Sequence, residues 1–328
     1  MAKNILVTGA SGNLGNYVAS YLHDQGYNVT CTDIVPMPAD GDNAKRGLPF
    51  VKADLLNIGD IMKAIAMAQA DTIVHLGAIA FNTELQPPYE KRTDLGPAPV
   101  EGAHFNYSMP EDATMKINTM GTFYVLDAAR RMGVKSVIGA SSYFAYGLGF
   151  RLSGDPFVPE YLPLDENHPC WPEDTYSLSK YLGEEIMKAF SRAYDMNTIA
   201  MRLMGVYYAN GKGSARLHTF DQGQAYPEPG SKGDCIGGQV YMYVDGRDIA
   251  YFIGLALNKL GQLPNKFEAF NLITDVEFNV DTKEFYSTLF PGLKDKVANL
   301  RDGEGIFSSR KAEELLGYKT QYSWKLGK

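Results

Sequence analysis

Two rhythms of apolar and polar positions alternate along the first 204 residues. Short apolar runs bounded by turn residues predict strands at 5–7, 28–33, 50–55, 71–78, 134–140 and 198–203. Between them apolar positions recur every three or four residues. This predicts helices after Leu14 (Leu14, Val18, Tyr21 and Leu22 on one face), at 57–69, at 115–131 and from about 173 to 194. Strands alternating with helices at this spacing predict a parallel sheet in an α/β fold. His75 lies inside an apolar strand and reads as a satisfied core histidine.

The rhythm breaks at 81–113, where Pro87, Pro88, Pro97, Pro99 and Pro110 punctuate a polar stretch carrying Phe81, Tyr89, Phe105 and Tyr107. A loop this long in a compact domain is expected to be functional, and reads as a cover over the mouth of a site. Past residue 204 the character changes. Residues 205–240 are glycine-rich and irregular, with Arg216 and His218 in a short helix. Strands at 240–245 and 267–272 and helices at 247–258, 281–290 and 309–316 complete the chain.

The bulk properties narrow the function classes. With 328 residues, 45% hydrophobic and 21% charged, the chain is long enough for a large core. A net charge of −7 gives no reason to expect nucleic acid or an anionic membrane as partner. Cys31, Cys170 and Cys235 are far apart and odd in number, so neither a metal site nor a disulfide framework is expected. No apolar run approaches the ~20 residues of a membrane helix, and no leader pattern opens the chain. A cytoplasmic protein is expected.

Candidate chemistry begins at the first turn. After the strand at 5–7, Gly9, Gly12 and Gly15 follow in G-x-x-G-x-x-G spacing and lead into a helix, with Ser11, Asn13 and Leu14 between them. Strand, glycine turn and helix open a dinucleotide-binding βαβ unit. The glycines let backbone approach a pyrophosphate, and the helix N-terminus offers free N–H groups. Asp33 ends the second strand 18 residues past Gly15, where an acid accepts hydrogen bonds from a ribose. Ile34 follows it with no adjacent Arg for a 2′-phosphate, which favours NAD over NADP. Gly77 and Ala78 are small where backbone passes a cofactor. The expected division is a Rossmann-type, doubly wound parallel sheet over 1–204 plus 241–260, with a smaller mixed substrate-binding lobe from 205–240 plus 261–328.

Tyr176 and Lys180 stand at i and i+4 on a helix and project from one face. A Tyr acting as a base near pH 7 needs a downward pKa shift of about 3 units, or about 4 kcal/mol. A neighbouring ammonium pushes that way, as would a positive nicotinamide. Ser142, at a strand's carboxyl end, can hold the same substrate oxygen.

These residues resemble the extended short-chain dehydrogenase/reductases, the NAD-dependent epimerase/dehydratase family. The resemblance runs through Thr8–Gly15, Asp33, Asp54-Leu55, His75-Leu76-Gly77-Ala78, Asn118 with Gly121-Thr122, Ser141-Ser142 with Tyr146-Gly147, and Tyr176 with Lys180. It continues in Tyr243-Val244-Asp245 with Asp248, and in Leu316-Gly317-Tyr318. It implies Ser142, Tyr176 and Lys180 as the catalytic triad, with Lys180 also on the nicotinamide ribose. It implies NAD as cofactor, Asp54 and Leu55 near the adenine, and Leu76 to Ala78 along the cofactor. Asn118 would sit behind the active site, among the cofactor-side residues. A homodimer through the helices near 115–131 and 173–194 is implied as well.

Departures from the family select among reactions. The Thr-Asp-Glu run of dehydratases is replaced by Ser142-Tyr143-Phe144, which argues against dehydration. Where nucleotide-sugar 4-epimerases often carry an Asn after the sixth strand, this chain has Gly205. Arg301 falls in an R-x-G-[DE] run similar to theirs, where an arginine holds the nucleotide, and could equally hold a sugar carboxylate. Tyr143 and Arg301 are thus candidate substrate residues beside Ser142. The expectation is NAD-dependent oxidation of a sugar or sugar-acid hydroxyl. The alternatives are a UDP-glucose-type 4-epimerase and a catalytically silent NAD-binding regulator. No metal is expected.

Overall fold

The computed structural model describes residues 3–83, 110–155, 157–209, 220–221 and 240–326. The reading of 81–113 as a cover, the short helix with Arg216 and His218, and Cys235 fall wholly or mostly outside them.

β1 (Asn4–Thr8), α1 (Asn13–Asp24), β2 (Asn28–Asp33), α2 (Asp42–Lys45), β3 (Phe50–Lys52), α3 (Ile58–Ala68) and β4 (Thr72–His75) open the chain. α4 (Ala113–Met115), a π-helical turn (Lys116–Met120) and α5 (Gly121–Arg131) then run on as one helix. β5 (Ser136–Ser142), α6 (Thr175–Tyr194), β6 (Asn197–Leu203), β7 (Gly205–Tyr207), β8 (Phe220–Asp221), β9 (Met242–Asp245) and α7 (Gly246–Lys259) follow. β10 (Phe267–Leu272), β11 (Asp275–Val276), β12 (Phe278–Asn279), α8 (Thr282–Leu289), α9 (Lys294–Val297) and α10 (Arg310–Leu316) complete it.

Seven strands form one sheet in the order β10-β6-β5-β4-β1-β2-β3, every neighbouring pair parallel. A parallel sheet covered on both faces needs strands apolar on both sides. β1 shows it: Ile5 and Val7 enter the core that holds Val18 of α1 and Ile249 of α7, whereas Leu6 enters the opposite core with Ile61 of α3, Val125 of α5 and Met187 of α6. Strand order reverses between β1 and β4, the crevice where open α/β sheets bind ligands.

The strand at 267–272, expected in the second lobe, is the seventh strand of the large sheet. Conversely β9, expected with the first domain, pairs with β7 and β11 in a separate three-stranded sheet. Both runs are short and apolar; only tertiary pairing decides which sheet takes them. The irregular reading of 205–240 also misses β7. Among the described residues no helix is long and apolar enough to cross a membrane.

Candidate active site

The glycine turn is built as its spacing predicts. Gly9 sits at φ +69°, and a Cβ there would lie 2.5 Å from the Gly77 nitrogen. A Cβ at Gly15 would lie 2.1 Å from the Gly9 oxygen and 2.6 Å from Ala10 Cα. Backbone meets backbone at both, so a side chain cannot be absorbed by a rotamer change. Gly15→Ala is expected to destabilise the protein by about 3 kcal/mol, read as a lower urea midpoint; an unchanged midpoint would show that the turn yields at no cost.

α1 starts immediately after Gly12, and Leu14 packs onto the core, fixing the helix N-terminus against the turn. Asp33 Oδ2 accepts from Ser11 N at 3.0 Å and Oδ1 from Val35 N at 3.3 Å, so the acid at the end of β2 is aimed at the glycine turn. Ser11 Oγ donates to Val35 O at 2.8 Å. Asp54 Oδ1 accepts from Leu56 N at 2.9 Å. Leu55 lies against Gly77 and Gly121, where added Cβ atoms would stand 2.9 Å and 3.1 Å from it.

His75 belongs to the scaffold. Thr122 Oγ1 donates to Asn118 O at 2.6 Å, so it accepts from His75 Nε2 at 3.2 Å. Nδ1 then accepts from Thr8 Oγ1 at 2.7 Å, and the Thr8 oxygen takes Leu76 N and Gly77 N. This chain of bonds fixes a neutral imidazole and holds the residues that follow β4. Burial, with the Lys180 charge second, pushes His75 down to about 3. The unfolded chain, with an ordinary histidine near 6.5, binds a proton below that pH which the folded protein refuses. Stability is therefore kept above pH 6.5 and falls by about 1.4 kcal/mol per pH unit below it. His75→Asn is expected to remove about 2 kcal/mol of the loss between pH 6.5 and 5 in urea titrations. An unaltered slope would refute the buried neutral histidine.

Asn118 lies in the π-helical turn, a distortion that often marks functional sites. Its Oδ1 accepts from Ile79 N at 2.8 Å, and its Nδ2 donates to Ile79 O at 2.9 Å and Ser179 Oγ at 3.0 Å. Its amide thus ties Ile79 to Ser179 of α6.

The side chains of Ser142, Tyr143, Tyr176 and Lys180 come from β5, the turn after it and α6. Asp174 caps α6: Oδ1 accepts from Ser177 N at 2.9 Å and Oδ2 from Ser177 Oγ at 2.6 Å and Phe150 N at 2.9 Å. The cap fixes where Tyr176 and Lys180 leave the helix. Ser142 ends β5 and its Oγ accepts from Phe144 N at 3.2 Å. The same hydroxyl interacts with the Tyr176 phenol. The rings of Phe144 and Tyr176 meet edge-on at 6.0 Å. Tyr143 lies tilted against Phe144, ring centroids 4.4 Å apart, and meets Phe307 edge-on at 6.0 Å; burial raises its pKa, followed by the charges of Tyr176 and Glu277.

Lys180 departs from expectation. Its Nζ donates to Ala140 O at 3.1 Å and stands 5.7 Å from the Tyr176 ring centroid. Burial lowers it to about 8. Tyr176 is pushed up to about 12 by burial, against the Ser142 hydrogen bond, which lowers it. Desolvation opposes both charged forms, and the Ser142 hydrogen bond, not the Lys180 charge, is what lowers Tyr176. Arg301 also departs: it is exposed, its backbone N bonds Glu304 Oε2 at 2.8 Å, and among the described residues no contact joins it to Ser142, Tyr143 or Tyr176. Among the described residues no cluster of His, Cys, Asp or Glu could hold a metal ion.

The chain matches the model of the NAD dependent epimerase/dehydratase family over residues 5–87 and 98–269. It is 27% identical to a Methanocaldococcus jannaschii protein named "Putative UDP-glucose 4-epimerase", over 98% of this chain and 95% of that one. It is 27% identical to a uronate dehydrogenase of Pseudomonas syringae pv. tomato, over 61% of this chain and 58% of the relative. The solved UDP-glucose 4-epimerase from Brucella ovis, in complex with NAD, shares the fold with a TM-score of 0.62 at 21% identity, covering 98% of this chain and 94% of that chain. With the matched residues spanning both the glycine turn and the Ser142, Tyr176 and Lys180 cluster, the protein belongs to the NAD-dependent epimerase/dehydratase family.

Proposed function

We propose that the protein oxidises a hydroxyl of a free sugar or sugar acid with NAD. The observation that carries this is the convergence of Ser142, Tyr176 and Lys180 at the carboxyl end of β5 and the start of α6. The cradle suits the cofactor: residues 9–15 present backbone where a Cβ would collide, and the Asp33 carboxylate sits beside that turn. Leu55, Leu76, Gly77 and Ala78 would line its path, and Lys180 would reach its ribose. Bound there, NAD supplies the hydride acceptor and the positive charge of its ring. Ser142 holds the substrate oxygen. Tyr176 takes the hydroxyl proton once that positive charge offsets the desolvation of the phenol. Lys180, lowered to about 8, is still protonated at pH 7 and donates from Nζ as an ammonium.

Gly205 in place of an Asn supports a compact substrate over a nucleotide-linked one. The second reading is a nucleotide-sugar 4-epimerase, favoured by the nearly full-length likeness to the Methanocaldococcus protein. Purified protein incubated with NAD and a panel of free sugars and uronates is expected to yield net NADH with one of them. Interconversion of UDP-glucose and UDP-galactose without net NADH, and no NADH from the panel, would replace the first reading by the second. We also infer a homodimer through α5 and α6, a reading supported by the exposed Phe123 and Tyr194 on those helices and Met120 in the turn that leads into α5.

A further inference from the structure

Asn82 lies on the segment that leaves the carboxyl end of β4 and is only 5% exposed. Its Oδ1 accepts from Tyr176 N at 2.7 Å. Because the partner is a backbone N–H, the accepting atom must be the carbonyl oxygen, and the other atom is therefore the amide NH2. That NH2 has no hydrogen-bond partner among the described residues, yet it is not among the sealed-off polar atoms of the interior. It keeps an opening in a residue that is otherwise buried. Its neighbours are rigid. Ile79 is held through both backbone groups by Asn118. Thr83 donates from its hydroxyl to Glu111 O at 2.6 Å, and Thr114 Oγ1 donates to Phe81 O at 2.7 Å. The segment thus runs, pinned at both ends, from the strand-order switch to the first turn of α6, directly beside the catalytic tyrosine's backbone.

A buried amide donor left unmade costs about 1–3 kcal/mol once covered. Held at the crevice where ligands of such sheets bind, it selects what covers it. Resting on the sugar reading above, we propose that Asn82 Nδ2 donates a hydrogen bond to an oxygen of the bound sugar flanking the reacting carbon, making Asn82 a specificity-determining residue. A substrate with a hydroxyl or carboxylate oxygen there satisfies the donor. A deoxy sugar buries it unpaired and is rejected by about tenfold or more.

Two substitutions separate contact from scaffold. Asn82→Asp keeps an oxygen for Tyr176 N but has no NH2; Asn82→Ala removes both. NAD-loaded wild type and both variants are titrated calorimetrically with galactose, which has no charge for the new carboxylate to repel, and with UDP-glucose. The proposal expects the sugar that binds wild type to bind both variants at least tenfold more weakly. Weakening in Asn82→Ala alone would make Asn82 a support for α6, and weakening in Asn82→Asp alone would make the effect one of charge; either overturns the contact. Failure of the oxidoreductase reading looks different: wild type binds a sugar but forms neither NADH nor epimer, while the affinity comparison still decides Asn82. Binding of neither sugar to wild type overturns both.

Discussion

Tyr176→Phe is expected to lower kcat by about 10²- to 10⁴-fold, the range general acid–base groups supply, while NAD affinity stays within about threefold. In the proposed reaction the phenol oxygen takes the proton beside Ser142, with which it interacts. No neighbour replaces it. Lys180 Nζ is engaged with Ala140 O, 5.7 Å from the ring centroid, and Ser142 Oγ accepts from Phe144 N. A phenylalanine fills the same space against Phe144, so the fold and the glycine turn are left as they were. Stopped-flow turnover on the sugar that gives NADH, paired with NAD titration, checks both halves. A rate within threefold of wild type would remove Tyr176 from the chemistry; lost NAD binding would recast it as a cofactor ligand.

That prediction uses residues legible in the sequence, whereas their electrostatics were not legible. The strands Asn28–Asp33 and Phe267–Leu272 carry their bounds in their apolar runs. α6 begins at Thr175 rather than 173 because Asp174 turns its side chain onto the Ser177 N–H, a cap readable from the Asp-Thr-Tyr-Ser order. The sign of the Tyr176 shift could not be read: i, i+4 spacing puts lysine and tyrosine on one face, but solvent exclusion sets the pKa, and exclusion is a property of the packed sheet and helices. Asn82 gave no signal, one polar residue among others before a long loop, until folding set it against α6. The sheet that takes β9 or β10 is hidden for the same reason, since a short apolar strand does not encode its neighbour.

Arg202 and Glu184 show the same limit with the largest expected effect on stability. An arginine inside a strand reads as an interruption of the apolar pattern, yet Arg202 is 5% exposed and Glu184 2%. Nε and Nη2 donate to the two carboxylate oxygens at 2.9 and 2.8 Å, and the guanidinium lies 4.4 Å from the Tyr146 ring centroid. Ser141 Oγ donates to the same carboxylate at 2.6 Å. The pair therefore joins β6 and α6 to the strand residue next to Ser142, one turn beyond Lys180. Arg202→Met leaves a buried carboxylate with, among the described residues, only the Ser141 hydroxyl to bond, and is expected to cost about 3–5 kcal/mol, because the stranded charge keeps its full desolvation penalty. Replacing both partners, Arg202→Met with Glu184→Gln, removes that charge and is expected to recover at least about 2 kcal/mol of the loss, a coupling of the size contacting residues show. Urea denaturation of the two variants measures it. A double variant no more stable than the single would mean that Arg202 acts through its packing on Tyr146, not through the carboxylate. The double variant is also expected to regain kcat if the charge pair matters to catalysis only by holding the end of β5 against α6.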